Sequence, residues 1–255
     1  MAEMKLDESL FQVPGVRRGL RFYVTAASPC PYLPGQLERK GFTHLTQDNP
    51  DALHDQLSRA GFRRSQSVAY RPACPTCNAC RSVRVDAAHF KASKNQRRIL
   101  RANEDVVRAP VEAKATREHF RLLKHYLTTR HDGGGMSEMG FREFSAMVND
   151  SPVQTLLFEY RLGHEADAPL VAVSLTDVVR DGFSMVYTFF DPRQTRRSLG
   201  TYMILDHILH AEELGLPHTY LGYWIKDSAK MDYKRRFTPL EVLDGSQWRR
   251  LEDDE

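Results

Sequence analysis

Residues 169–225 read PLVAVSLTDVVRDGFSMVYTFFDPRQTRRSLGTYMILDHILHAEELGLPHTYLGYWI, and the fold is decided there. PLVAVSLTDVV and SMVYTFFD are β-branched and aromatic runs of strand length, and the short polar RDG between them reads as a hairpin turn. After DPRQTRRSLG the period changes. Met203, Ile204, His207, Ile208 and Ala211 recur at helical spacing over residues 197–213, and Gly215 supplies a helix stop. HTYLGYWI then returns to the extended pattern.

Working outward, TLLFEYRL precedes the first strand across GHEADA, and a short helix SAKMDYKRRF and a strand PLEVLD follow the last. Upstream lie an amphipathic helix over 116–130 with Phe120, Leu123, Tyr126 and Leu127 on one face, and a helix over 140–148. Thr116 is placed to cap the first of these. A strand VVRAPVE and a basic helix NQRRILRAN come before them. This order predicts an α+β protein whose second part is a GNAT-like acyltransferase domain with a mixed, mostly antiparallel sheet, splayed near its fourth and fifth strands.

Residues 1–95 have another texture, with many breakers (CPYLPGQ, TQDNPD, RPACPTC), a short helix at 51–60, and strand-like runs at 67–72 and 81–86. The expected organisation is a small cysteine-containing N-terminal domain over 1–95, the acyltransferase domain over 96–247 and an acidic tail over 248–255, whose end LEDDE has too little apolar surface to order itself. The 255 residues are 41% hydrophobic and 27% charged with mean hydropathy −0.51 and a formal net charge of +3, which excludes fibrous and disordered classes. No apolar run reaches the roughly 20 residues of a membrane-spanning helix, and MAEMKLDESL does not read as a secretory leader, so a cytoplasmic location is expected.

Three features have the composition for chemistry. Cys74, Cys77 and Cys80 form CPTCNAC, and Cys30, followed by Pro31, is the fourth cysteine. Thiolates three residues apart can converge on one ion, so the set suits a structural zinc or an iron–sulfur cluster, against the simpler reading of four reduced thiols in a small core. Arg193, Arg196 and Arg197 lead into the helix beginning near Ser198. Arg197 and Gly200 match only part of the Q/R-x-x-G-x-G/A loop that holds the acetyl-CoA pyrophosphate, so an RNA phosphate is an equal guest and a solvated charge run the bland alternative. Basic clusters at Lys91, Lys94, Arg97, Arg98 and Arg101, and at Lys226, Lys230, Lys234, Arg235 and Arg236, suit a nucleic-acid backbone or a wet face.

At a set of motifs the sequence resembles the arginyl-tRNA–protein transferase family, and within it the compact bacterial aspartate/glutamate leucyltransferase branch. The motifs are Cys30-Pro-Tyr-Leu-Pro-Gly, the stretch YRPACPTCNACRSVRV over 70–85, Arg130-His131, Asp191-Pro with Ser198-Leu-Gly-Thr-Tyr202, and Leu221-Gly-Tyr-Trp-Ile. The last is followed by Lys230-Met-Asp-Tyr-Lys234, Phe237, Pro239 and Glu241. Gly133-Gly134-Gly135-Met136 departs from the Asp-Gly-Asp-Met pattern of the bacterial group. The resemblance implies an enzyme that moves leucine from leucyl-tRNA to the N-terminal amine of proteins beginning with Asp or Glu, tagging them for N-end rule degradation, with no cofactor required for transfer.

Under that implication Arg71, Arg84 or Lys230 meets the acidic side chain of the acceptor, or each is a structural ion pair. Arg193, Arg196, Arg197, Lys234 and Arg235 bind tRNA. Asp191, at the end of FFD where such a sheet opens, is the first candidate base, or it caps the next turn. Tyr187, Tyr223 and Tyr233 are candidate hydroxyl relays or stacking platforms, or core. A ribose hydroxyl or water that carries the proton would need no protein base. Arginine transfer to the same acceptors, acetyl-CoA-dependent N-acetylation and non-enzymatic RNA binding are the competing readings.

Overall fold

A computed structural model describes residues 20–45, 48–130, 136–165 and 167–252. The opening MAEMKLDESL, the glycines 133–135 and the last three residues of LEDDE lie outside the described residues.

The first half begins with β1 (Tyr23–Val24), β2 (Ser28–Pro29), β3 (Leu37–Glu38) and β4 (Lys40–His44). Helix α1 (Pro50–Arg59) starts at Asn49, whose Oδ1 accepts from Ala52 N at 3.1 Å, with Pro50 in the first turn where a missing N–H costs nothing. Strands β5 (Arg63–Ser65) and β6 (Val68–Pro72) follow, and β1, β4, β6 and β5 make a four-stranded antiparallel sheet. Leu45, Leu53, Leu57, Phe62, Ala69 and Val153 form its small core.

Strand β7 (Arg81–Asp86) leaves this module and enters a second sheet, and helix α2 (Lys94–Arg101) follows. Ser93 and Gln96 close a reciprocal capping box, and Gln96 Nε2 also donates to Arg236 O at 2.9 Å, tying α2 to the end of the chain. Then come β8 (Val106–Glu112), α3 (Arg117–Arg130), α4 (Phe141–Asn149), β9 (Thr155–Leu162), β10 (Leu170–Val179), β11 (Gly182–Phe190), α5 (Leu199–Glu213), β12 (His218–Trp224), a 3-10 turn (Asp232–Arg236), β13 (Leu240–Asp244) and β14 (Gln247–Arg250). Thr116 caps α3 through its hydroxyl, which accepts from His119 N at 3.1 Å. The expected element order is present, and with it the α+β class and a mixed, mostly antiparallel sheet.

The large sheet runs β14-β13-β7-β12-β11-β10-β9-β8, antiparallel except between β11 and β12. Alternate residues feed opposite faces. Phe158, Tyr160 and Ala172 join α5 residues such as Met203, Leu205 and Ile208 in one core, while Leu157, Val173, Leu175 and Phe189 join Leu123, Leu127, Phe144 and Val148 of α3 and α4 in another. His207 lies wholly inside the α5 core. Its Nδ1 sits 3.1 Å from Tyr160 Oη and its Nε2 2.9 Å from Thr176 Oγ1, and burial lowers its pKa to about 4.

Two features differ from the sequence reading. Arg81–Asp86, N-terminal to the expected boundary at 95, lies between β12 and β13 in the large sheet, because its apolar Val83 and Val85 share one face and feed the core under α5. The stretch assigned to an acidic tail holds β14, paired to β13, and Leu251, which packs on the main core and donates its N–H to Leu240 O at 2.8 Å. Trp248 supplies the apolar surface that LEDDE lacks, and its indole N–H donates to Arg59 O at 2.8 Å.

Candidate active site

Strands β11 and β12 pair in parallel only over Gly182↔His218, Phe183↔Thr219 and Ser184↔Tyr220, and beyond these the sheet splays. Tyr223 stands past the splay on β12. Its buried hydroxyl donates to Tyr70 O at 2.9 Å, and burial raises its pKa well above the usual phenol range, so it works as a neutral donor and not as a base.

Three concave spaces surround this point. A cleft of about 850 Å³ is lined by Arg71, Cys80, Arg81, Tyr223, Lys226 and Arg249 among others, with Asp244 as its acidic member. A small cavity of about 70 Å³ carries Cys30, Cys74, Cys77 and Cys80 on its wall with Tyr32, Tyr70 and Tyr223. A second cleft of about 770 Å³ is lined by Met136, Met139, Met147, Leu175, Val186 and Tyr187, with Tyr70 reaching it from the N-terminal half. Tyr223 and Tyr70 therefore separate a cationic cleft from a methionine-rich one.

The candidate cations divide. Arg71, on β6, lines the cationic cleft with its guanidinium 5.2 Å from the Phe62 ring centroid, and burial lowers its pKa from the ordinary arginine value without neutralising it. Arg84 is committed elsewhere: Nε donates to Glu241 Oε2 at 2.7 Å, Nη1 to Tyr220 Oη at 3.1 Å, and Asp181 lies 3.7 Å away. With Trp248 4.4 Å from its guanidinium carbon, this is the structural ion pair of the two readings. Lys230 is exposed and donates to Pro31 O at 3.3 Å, next to Cys30.

Asp191 is almost buried and both of its oxygens accept from Arg193, including Arg193 N at 3.0 Å and Nε at 2.9 Å. Burial alone would raise its pKa, but these hydrogen bonds and the guanidinium charge hold it below the usual value. The carboxylate closes the turn into α5 and is a weak proton acceptor there. Arg197 forks onto Asp105 at 2.6 and 2.7 Å, while Arg196 and most of Arg193 are exposed. Ser198, at φ 52°, makes no side-chain cap to α5.

Lys234 is not on the surface with Arg235 but inside, 5% exposed, with its ammonium donating to Tyr223 O. A phosphate cannot reach it. Burial first, then the charge of Arg63, lower its pKa to about 7. Tyr187 is half-buried on the methionine-rich cleft with its pKa raised by burial, and Tyr233 is exposed.

The cysteines share one cavity but not a ligand geometry. Burial, then the thiols of Cys30, Cys74 and Cys77, push Cys80 up to about 12. Among the described residues no three His, Cys, Asp or Glu side chains converge closely enough to hold a metal ion. As placed, the four thiols do not fit a zinc or an iron–sulfur cluster.

Sequence reading did not single out Arg63, Arg64, His54 or Asp177, which join the two halves beside the splay. Arg64 Nε and Nη2 donate to Asp177 at 2.7 and 2.6 Å, and His54 Nε2 lies 3.0 Å from the same carboxylate, at ion-pair distance without hydrogen-bond alignment. The Arg-Arg doublet after Gly61-Phe62 was the available signal, since paired guanidinia entering a strand need acceptors.

Among the described residues no helix is long and apolar enough to cross a membrane. Among solved structures, a GCN5-related glucosamine N-acetyltransferase region of a fungal multi-domain β-N-acetylglucosaminidase overlays with a TM-score of 0.42 at 8% identity, covering 87% of this chain and 24% of that one. The aspartate/glutamate leucyltransferase of Hyphomonas neptunium is 63% identical over 99% of this chain and 100% of its own length. Proteins of the same name from Sinorhizobium medicae and Caulobacter vibrioides are each 52% identical, over 92% and 91% of this chain and 93% and 84% of theirs. Residues 28–98 match the family model for the N terminus of arginine-tRNA-protein transferase and residues 118–244 the model for its C terminus, and with these full-length relatives the chain belongs to the arginine-tRNA-protein transferase family.

Proposed function

We propose that the protein is an aminoacyltransferase that moves leucine from leucyl-tRNA to the N-terminal amine of proteins beginning with Asp or Glu, in the cytoplasm where charged tRNA is found. The observation that carries this reading is near full-length identity, 63% over 99% of the chain, to a relative named for that activity. The geometry supports it. Arg71 offers a partly desolvated guanidinium, suited to the acceptor's side-chain carboxylate, in a cleft with three further cations. The methionine-rich cleft has an apolar lining suited to a leucyl side chain. Among the described residues its acids are Glu143, which accepts from Gly140 N at 2.7 Å as a helix cap, and Glu138, which is exposed.

An aminoacyl ester is already activated, so positioning the ester carbonyl against a neutral amine supplies much of the rate. Tyr223, on the wall of the cationic cleft, and Tyr70, on the wall of the methionine-rich one, stand between the two clefts. With Asp191 engaged by Arg193, we assign proton removal to the ribose hydroxyl of the donor or to water, and Asp191→Asn should keep transfer activity. A zinc or iron–sulfur centre on the cysteines would have to draw the four thiols inward, and would then be structural, with no open position for substrate.

The test is transfer by purified protein from radiolabelled leucyl-tRNA or arginyl-tRNA to peptides beginning with Asp, Glu, Lys or Ala. Leucine appearing only on the Asp and Glu peptides is the expected result. Arginine on those peptides would move the donor assignment, and no transfer from either would overturn the reading.

A further inference from the structure

The splay between β11 and β12 is filled by a side chain from the other half of the protein. Arg63, on β5, reaches across so that Nη2 donates to Met185 O and Val186 O, each at 3.0 Å, and Nη1 donates to Leu221 O at 3.3 Å. Met185 and Leu221 are the residues that follow the last paired positions, Ser184 and Tyr220, so the guanidinium sits at the fork itself. Both strands are bulged at this point. On β11 the register with β10 passes from Tyr187 to Met185, leaving Val186 extra, and on β12 the register with β7 passes from Tyr220 to Gly222, leaving Leu221 extra. A bulge turns a carbonyl out of the ladder, and here two bulges turn carbonyls toward one guanidinium.

Gly222 completes the seat. It has φ +76°, and a Cβ on it would fall 1.4 Å from Arg63 Nη1, so only glycine leaves room for the guanidinium. Among the described residues no carboxylate pairs with Arg63, and its acceptors are backbone carbonyls. Its charge is felt by Tyr32, Tyr223, Tyr233 and Lys234, of which Tyr223 lines the cationic cleft and Tyr32 the cysteine cavity.

We propose that Arg63 is a positioning residue for aminoacyl transfer: a guanidinium wedge from the N-terminal half that sets the gap between the two bulged strands and holds a fixed positive charge where the ester and amine meet. The inference rests on the functional reading above. A guanidinium suits the task because its planar fork spans acceptors on two strands, which a lysine ammonium on a flexible stem does not. The same bonds occupy the edge carbonyls that an extended amide chain, such as the arm of an acyl-CoA, would need if it threaded the splay.

The experiment is steady-state leucine transfer to an Asp-starting peptide by wild type, Arg63→Ala, Arg63→Lys, Gly222→Ala and the Arg63→Ala/Gly222→Ala pair, with far-UV melts on each. Arg63→Ala should lower kcat about 100-fold, the scale of a roughly 1 Å misplacement. KM for tRNA and for peptide should move by less than about threefold, as for an interaction that acts on the reacting geometry. Arg63→Lys should recover less than about a tenth of the loss. Gly222→Ala should lower kcat by displacing an intact arginine, and the double variant should lose no more than the worse single one, because both act through one seat. Arg63→Ala with wild-type kcat, a loss confined to KM, a loss that follows the folded fraction, or additive losses in the pair would each overturn the proposal. Should Arg63→Ala not fold, Arg63→Lys and Gly222→Ala decide by the same kcat criterion. Wild type that transfers nothing would instead overturn the functional reading, and this inference with it.

Discussion

Replacing Asp177 with Asn should separate the two halves energetically. Asp177 lies on β10 with no exposed surface, and it receives Arg64 through two hydrogen bonds, Thr155 Oγ1 at 2.8 Å and His54 at ion-pair distance. Arg64 and His54 come from the N-terminal half, Asp177 and Thr155 from the acyltransferase half. Burial by itself raises the Asp177 pKa, but the Arg64 hydrogen bonds, with His54 at ion-pair distance and the charges of both, outweigh it and bring the group down to about 2 from 3.8. A difference of that size corresponds to about 2 to 3 kcal/mol of stability. The folded pKa is depressed, so this contribution is complete above pH 4 and is lost as pH falls toward 2. Asn should cost more than protonation, about 3–5 kcal/mol at pH 7, because it leaves the Arg64 guanidinium buried without a carboxylate. Urea unfolding followed by far-UV circular dichroism reads it directly. An Arg64→Met/Asp177→Asn pair should be less destabilised than the sum of the two single changes. A loss below about 1 kcal/mol for Asp177→Asn, the scale of an exposed pair, would refute the reasoning.

Arg71→Ala should raise KM for Asp and Glu peptides about tenfold or more with a smaller change in kcat, since it removes a forked carboxylate partner. Arg84→Ala should leave acidic selectivity intact and lower stability by about 1–3 kcal/mol, because Glu241 and Asp181 lose their shared cation. Steady-state kinetics with Asp-, Glu- and Ala-starting peptides distinguish the two. Lys234 has a folded pKa below its unfolded value, so the folded chain binds fewer protons between pH 7 and about 10, and wild type should gain stability over Lys234→Met as pH rises through that range. Parallel urea melts at pH 7 and 9.5 that show no divergence would contradict that sign. His207, lowered by burial to about 4, should make stability fall as pH drops from 6.5 toward 4, above the carboxylate range, and His207→Gln should flatten that limb of a melt series.

What was legible in the sequence follows from where the information is local. The hairpin of β10 and β11, the helix α5 and the strand β12 carry period and punctuation within a few residues of themselves, so they stand close to their expected bounds. Thr116 is legible for the same reason, being three residues from its partner. Lys234 was not, because its basic neighbours Arg235 and Arg236 suggest a surface, and only the 3-10 turn at Asp232–Arg236 rotates its side chain inward. Arg84 reads as a ligand-binding arginine until Glu241, 157 residues away in sequence, is found at 2.7 Å. Strand β14 was hidden by the acids after it: Gln247–Arg250 is short and polar apart from Trp248, and its partner strand supplies the order that its composition does not. Arg63 is the clearest case: the Arg63-Arg64 doublet signals that acceptors are needed, but not that for Arg63 they are three carbonyls of β11 and β12.

These non-local links have a common direction. Arg63 enters the splay, Arg64 and His54 enter the interior of β10, Tyr70 O takes the Tyr223 hydroxyl, and β7 lies between β12 and β13. A sheet with a parallel pair that diverges has unpaired edge groups at its most exposed point, and such groups need acceptors, donors or a ligand. In this chain the N-terminal half supplies them, as a strand on the far side of β12 and a guanidinium in the fork. The splay is then held open by protein rather than by substrate, with the Arg71 cleft on one side and the methionine-rich cleft on the other. An arrangement preorganised in this way does not need the donor's leaving group to order the strands, which suits a donor attached to a large RNA that must bind from outside the sheet. The N-terminal half is on this account part of the acyltransferase sheet itself, and residues 96–255 expressed alone should lose β7 and the wedge together and fail to form a cooperative fold.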